Sequence, residues 1–210
     1  MVKQPKHWDV WKRAFDVSLA VAGLLLLWPV LAVFGLVVKL TSPGPVFYRG
    51  VRTGRYGRPF RIYKFRTMVA NAEQIGSVTT SDSDPRITRV GRFLRKYKLD
   101  ELPQLVNVLV GNMSIVGPRP EVVSYTDRYT EEERLVLSVR PGITDWASIQ
   151  FSDLQSIVGS HDAERAYRER VLPRKMELRM KYVREQSFAS DLRILAHTAW
   201  EVLTRPLRKG

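Results

Sequence analysis

The chain has 210 residues, enough for one domain with a sizeable core plus attachments. Its 34 Lys and Arg against 21 Asp and Glu leave a formal charge of +13, which points to an anionic partner: nucleic acid, phospholipid headgroups or phosphorylated substrates. With no cysteine, disulfides, zinc thiolate sites and thiol catalysis are excluded, and His7, His161 and His197 show no metal-ligand spacing.

Residues 1–16 are polar and basic, with Trp8, Trp11 and Phe15 interleaved. That pattern suits a membrane interface, and also the start of an ordinary amphipathic helix. Val17 to Val38 is a run of 22 uncharged residues, long enough as a helix to span the ~30 Å hydrocarbon core. Pro29 lies near its middle and predicts a break or kink. Basic residues flank both ends, Lys12 and Arg13 before and Lys39, Arg49 and Arg52 after, so charge gives no orientation and suits both ends on the cytoplasmic side. Two half-helices meeting at Trp28-Pro29, each too short to cross alone, would dip into the membrane and return. A straight single-pass anchor is the alternative. The run is too long for a signal peptide and no small-residue cleavage site clearly ends it.

Thr41-Ser42-Pro43-Gly44-Pro45 reads as a turn and as the boundary of the membrane part. Val46-Phe47-Tyr48 and Phe60 to Phe65 read as short strands around a glycine-rich turn, Phe60, Ile62 and Lys64 alternating with Arg61, Tyr63 and Phe65. Asn71 to Asp84 reads as a short helix end and then a mobile loop, a connector or a lid. Ile87, Val90, Leu94 and Tyr97 form a helical stripe among Arg86, Arg89, Arg92, Arg95, Lys96 and Lys98, a basic amphipathic helix suited to a membrane surface or to solvent.

Asp100 and Glu101 follow. Leu102, Leu105, Val106 and Leu109 fall at i, i+3, i+4 and i+7, one face of a helix. Pro103 is tolerated in a first turn, so the helix is expected to start near Asp100 with the carboxylate dyad at its N-terminus. Amide donors and the helix dipole favour anions there. An Asp at a helix start is also an ordinary cap. Carboxylates, a helix N-terminus and nearby arginines together suit a phosphate-handling site with a divalent cation. Downstream, Pro118 and Pro120 stiffen the backbone around Arg119, whose guanidinium can grip phosphate through two parallel hydrogen bonds. Thr130, followed by Glu131, Glu132, Glu133 and Arg134, reads as a capped helix start. Arg140 to Ile143 reads as a turn. Asp162 to Gln186 reads as charged helix interrupted near Pro173. Phe188, Leu192, Leu195, Ala199 and Val202 mark a last amphipathic helix, and Arg205 to Lys209 a basic tail suited to anionic lipid.

LDELPQLVNVLVGNMSIVGPRP (Leu99 to Pro120) resembles the core motif of the bacterial sugar transferases, the monotopic phosphoglycosyl transferases that load a phosphosugar onto polyprenyl phosphate. YRGVRTGRYGRPFRIYKFRTM (Tyr48 to Met68), SDPRITRVGRFLRK (Ser83 to Lys96) and VRPGITDWASIQ (Val139 to Gln150) resemble further family blocks in the same order. The similarity covers nearly the whole chain. It departs at Trp28-Pro29, where the family often carries Ser-Pro, at Gly50 and Val51, where it has Gln or Glu, and at Asp145 and Ser148, where it has Gly and Gln.

The resemblance implies an α+β, mainly α fold: a re-entrant helix-break-helix over residues 1–40, a cytoplasmic-face catalytic domain over 41–204 with amphipathic interfacial helices and a small β element, and a basic tail over 205–210. It implies a bacterial inner-membrane enzyme that moves a phosphosugar from a UDP-sugar to polyprenyl phosphate with Mg²⁺ or Mn²⁺, releasing UMP, on a path to exopolysaccharide or lipopolysaccharide. Asp100 would be the nucleophile, and Glu101 with Asp100 would hold the metal. Arg95, Arg119, Lys64 and Arg66 would meet phosphate. Asp191 is a site candidate by resemblance alone, with a surface or capping role the alternative. Anionic lipid is an expected partner, nucleic acid is not, and self-association is left open. The charge alone would also permit a membrane-tethered nucleic-acid binder, for which no signature is present, or a non-catalytic scaffold.

Overall fold

In the computed structural model, which describes residues 6–75, 84–151, 165 and 167–208, the uncharged run lies within one helix, α1 (Lys6–Thr41). Pro29 sits inside it, and the helical backbone continues across Trp28-Pro29 instead of parting into two helices. A proline removes a single ladder bond, and flanking turns can absorb that loss without ending the helix. Both halves of α1 rest on the same domain. In the first half, Asp16 accepts hydrogen bonds from Ser114 Oγ and the Ile115 amide, both at 3.0 Å, and Gly23 faces Leu105. In the second, Val38 is buried with Phe65 and Leu94, and Leu31 and Phe34 pack on that cluster. Between them Leu25, Leu26 and Trp28 are 71%, 78% and 64% exposed.

Two antiparallel strand pairs follow, one continuing the other. β1 (Phe47–Tyr48) pairs with β4 (Lys64–Phe65), and β2 (Val51–Thr53) pairs with β3 (Pro59–Arg61). Phe60 and Ile62 point into the core as their alternation predicts. The alternation then slips, because the ladder is interrupted at Ile62 and Tyr63 and resumes with Phe65, not Lys64, buried. After a short helix, α2 (Ala72–Ile75), the segment expected as a loop falls largely in 76–83, outside the described residues. Helix α3 (Arg89–Lys96) is capped by Thr88, whose side chain accepts from the Gly91 amide, and it buries Leu94 as its stripe predicts.

The dyad does not begin an α-helix. Lys98 takes a left-handed conformation (φ 57°), Leu99–Glu101 winds as a tighter 3₁₀ turn, and α4 (Gln104–Leu109) begins only after Pro103. The ring of Pro103 opposes the carbonyl four residues back, which disfavours regular α-helix through Leu99. Bonds of the i to i+3 type replace it, from the Leu102 amide to Leu99 O at 3.3 Å and from the Leu105 amide to Leu102 O at 3.1 Å. The buried face of α4 is also not the apolar stripe. Gln104, Asn107 and Val108 turn inward, while Leu109 and Val110 are exposed. Asn107 explains the rotation: its amide donates to Arg61 O (2.9 Å) and accepts from the Tyr63 amide (2.8 Å), tying α4 to the strands.

β5 (Ser114–Val116) pairs in parallel with β6 (Gly142–Thr144), so the expected turn at Arg140 to Ile143 becomes the start of a strand. Between them lie α5 (Val123–Thr126) and a 3₁₀ helix (Glu133–Ser138). The expected capping box precedes it, with Thr130 and Glu133 each accepting the other's amide. α6 (Trp146–Gln150) follows β6. Beyond a π-helical segment (Tyr167–Val171), α7 (Leu172–Glu185) carries Pro173 in its first turn, where the sequence places an interruption. α8 (Phe188–Arg208) continues through Arg205 to Arg208. Its buried residues are Asp191 and Ile194, whereas Phe188, Leu192, Trp200, Val202 and Leu203 are exposed. The main core gathers Phe60, Ile62, Val108, Met113, Ile115 and Val116 with Tyr182, Val183 and Ile194.

β5 and β6 approach so closely that Gly142 and Gly117 meet backbone to backbone. A Cβ on Gly142 would lie 2.1 Å from the Gly117 nitrogen. Gly142→Ala should therefore cost about 3 kcal/mol or more, read as a fall of roughly 6–12 °C in the thermal unfolding midpoint for a chain of this size.

Candidate active site

Three segments converge on one carboxylate. Glu101, in the 3₁₀ turn, accepts from Lys64 Nζ of β4 at 2.9 Å and from both terminal nitrogens of Arg119, Nη1 at 2.7 Å and Nη2 in a shorter contact. Arg119 follows β5, and its loop is held from three sides. Its amide donates to Asp145 Oδ2 (3.0 Å), the Gly142 amide donates to Pro118 O (3.0 Å), and Arg119 Nη1 reaches Ile143 O (3.3 Å). Asp145 caps α6 by accepting from the Ser148 amide and also meets Arg179 Nε at 3.4 Å. Arg179, from α7, is 1% exposed and pairs at its other side with Glu121 (2.9 Å), which accepts the Tyr167 hydroxyl. The position expected to depart from the family at Asp145 thus braces the Arg119 loop from inside.

Asp100 adjoins Glu101 and is 7% exposed. Arg95, in the last turn of α3, donates through Nε to Thr67 Oγ1 at 2.9 Å, and its charge reaches Asp100. Lys64, Arg95, Asp100, Glu101 and Arg119 are therefore one constellation. Two expected members are engaged by other partners. Arg66 is buried and donates to Pro43 O (2.5 Å), Ser42 O (2.8 Å) and Ser42 Oγ (2.8 Å), so its guanidinium closes the end of α1. Asp191 is buried between Lys12 Nζ (2.5 Å) and the Tyr182 hydroxyl (2.8 Å), joining α1, α7 and α8. Sequence reasoning missed Glu121, Arg179 and the bracing role of Asp145. No periodicity marks them, since Arg179 sits in a helix crowded with other charges.

A family model of bacterial sugar transferases matches residues 7–205. The chain belongs to that family. It is 42% identical over 193 residues to a UDP-glucose:undecaprenyl-phosphate glucose-1-phosphate transferase of Escherichia coli K12, covering 90% of this chain and 39% of that protein. It is 46% identical over 121 residues to a putative undecaprenyl-phosphate N-acetylgalactosaminyl 1-phosphate transferase of Bacillus subtilis, covering 58% of this chain and 68% of that one. It is 37% identical to an exopolysaccharide production protein of Rhizobium leguminosarum, covering 93% and 96% of the two chains. The chain thus spans about two-fifths of the E. coli sugar transferase's length and nearly all of the Rhizobium protein's.

The two neighbouring carboxylates have opposite electrostatics. Burial pushes the Asp100 carboxyl above its ordinary range, and the charge of Glu101 pushes it further; Lys64, Lys98 and Arg95 only partly offset this. Burial acts on Glu101 in the same direction, but Arg119 and Lys64 outweigh it and hold Glu101 well below the carboxylate range. Lys64 is itself lowered, chiefly by burial against the support of Glu101. Glu101 is thus a fixed anion locked between cations, and Asp100 the adjustable group beside it.

Because the charge of Lys64 lowers the Asp100 pKa, Lys64→Met should raise it. The Asp100 titration followed by carboxyl NMR should therefore move to higher pH in the variant, and an unmoved titration would count against this arrangement.

Proposed function

We propose that this protein transfers a sugar 1-phosphate from a UDP-sugar to undecaprenyl or a similar polyprenyl phosphate, giving a polyprenyl-diphosphate sugar and UMP. The observation that carries the reading is the Lys64–Glu101–Arg119 clamp beside the buried Asp100 carboxyl. The E. coli relative's name supplies the donor and acceptor classes. The reaction brings a phosphate against a diphosphate, so cations must offset the repulsion between two anions. Lys64 and Arg119 supply two, and Arg95 a third at the edge.

In the first step an Asp100 carboxylate oxygen attacks the sugar-bearing phosphorus. The bridging oxygen–phosphorus bond breaks, UMP leaves with that electron pair, and an aspartyl-phosphosugar remains. In the second step a polyprenyl phosphate oxygen attacks the same phosphorus, the acyl-phosphate bond breaks, and Asp100 is regenerated. Splitting the transfer lets a soluble and a lipid substrate use one small site in turn. Glu101 orients Lys64 and Arg119 and stays ionised throughout.

Magnesium is part of this reading. Among the described residues no cluster of three or more His, Asp or Glu is present. Mg²⁺ fits such a site because it binds through one or two carboxylates and takes its other ligands from substrate phosphates and water. Asp100 would be its main protein ligand, since both Glu101 oxygens are already engaged. Bound there, the ion would draw charge from the diphosphate.

The membrane placement rests on α1. By length and composition the helix can cross a bilayer, yet residues on both sides of Pro29 pack on one domain. A continuous helix held to one domain through both halves would seat in one leaflet without crossing, with the domain at the cytoplasmic face of the inner membrane. The outward apolar faces of α4 and α8 support a domain lying against lipid.

A UMP-release assay with Mg²⁺, polyprenyl phosphate and a panel of UDP-sugars tests the reaction class and the donor together. Asp100→Asn should lower turnover by about 10³-fold or more, and label from a donor phosphate should be trapped on Asp100. Trapping on Glu101, or retained turnover in Asp100→Asn, would reject the assignment.

A further inference from the structure

A groove of about 310 Å³ opens between the β2–β3 turn and the loop after α4, lined in part by Arg55, Tyr56, Arg58, Gly111, Asn112 and Arg140. It is separate from the dyad. Asp100 precedes α4 and Gly111 follows it. The groove lies at the opposite end of α4 from the clamp.

Its cations outnumber its anions. Arg55, Arg58 and Arg140 line it, and Arg13 borders it, with Nη2 3.7 Å from where a Cβ on Gly111 would stand. Arg13 is lowered first by burial and then by the charge of Arg140, so the two guanidiniums feel each other. The compensating acid is Asp9, half exposed and paired with Arg55 at 3.0 Å. Asp16 also acts on Arg13, but its carboxylate is engaged by Ser114 and the Ile115 amide.

The hydrogen bonds in place leave donors over. Arg140 uses Nε on Gly111 O (3.1 Å), and Arg55 uses Nε on Ser138 O (2.9 Å). The Nη groups of Arg140 and the whole guanidinium of Arg58 have no hydrogen-bond partner among the described residues. Tyr56 is held at φ 59°, a conformation costly for a non-glycine residue and frequent at ligand clamps, with Arg55 over its ring at 4.8 Å.

The surroundings identify the kind of anion. Val10, Trp11, Leu109 and Val110, on the segments that carry Arg13 and lead into the groove, are 68%, 74%, 40% and 62% exposed. The uncharged run of α1 begins four residues after Arg13, roughly 6 Å along the helix. With that run in lipid, as the membrane placement proposed above has it, the groove stands at the depth of the headgroups. A free phosphate would account for the arginines but not for the apolar border.

We propose that this groove binds the headgroup phosphate of an anionic phospholipid, with Arg58 and Arg140 as its free donors. A zwitterionic choline headgroup would set its own cation against these guanidiniums and bind worse.

The test uses the purified full chain in detergent, titrated with dihexanoyl phosphatidylglycerol, dihexanoyl phosphatidylcholine or inorganic phosphate at matched ionic strength. Thermal shift and lipid retention in native mass spectrometry are read together. Phosphatidylglycerol should raise the melting temperature and remain bound, while the other two should do neither. The double variant Arg58→Gln/Arg140→Gln should bind phosphatidylglycerol at least about tenfold more weakly, as expected for two lost charge-assisted contacts. If loss of the Arg140–Gly111 bond unfolds it, Arg58→Gln alone should lose at least about threefold with its lipid-free melting temperature unchanged. Asp100→Asn should keep the full lipid response, which separates this outcome from failure of the transfer chemistry. Equal affinity in the Arg58 variant, or an equal response to inorganic phosphate or phosphatidylcholine, would overturn the proposal.

Discussion

The Glu101 carboxylate is the point on which the site depends. It is shared between Lys64, in β4, and Arg119, in the loop after β5. Removing any partner would leave buried charge uncompensated, which costs more than the pair contributes when intact. The clamp therefore sets the spacing between β4, the 3₁₀ turn and the loop after β5, with Asp100 carried along as the immediate neighbour. Behind it, Asp145 and Arg179 form a second ion pair, buried at 1% exposure on both side chains, that keeps the Arg119 backbone from drifting. Geometry at this site is a matter of stacked charge pairs.

Much of this was legible in the sequence. The α3 stripe, the capping box at Thr130 and Glu133, and the interruption near Pro173 rest on local rules, and local rules survive folding. Tertiary contacts give two of the expected site residues partners that no local rule shows. Arg66 resembles a phosphate ligand in its motif, but Ser42 and Pro43 offer it backbone oxygens at the end of α1. Asp191 was likewise claimed by Lys12, about 180 residues away in the chain. The 3₁₀ winding of the dyad follows from Pro103, which the sequence shows, but the left-handed Lys98 that starts it has no compositional signature.

The helical stripes make a related point. In a soluble protein an apolar stripe marks the buried face. Here α3 obeys that rule, whereas α4 turns Gln104 and Asn107 inward and α8 buries Asp191. Both leave leucine, valine or tryptophan outside, an arrangement that makes sense where the surroundings are themselves apolar. Periodicity identified these helices but not which side faced the protein.

The contacts of α1 bear on what kind of part it is. Asp16 takes the Ser114 hydroxyl and the Ile115 amide, and Lys12 supplies the counter-charge to Asp191 inside the domain. A tether that merely holds an enzyme near a surface could be trimmed or swapped without harm. This one contributes a buried ammonium and a buried acceptor to the globule it anchors, so a truncated form beginning after the hydrophobic stretch would forfeit part of its own interior.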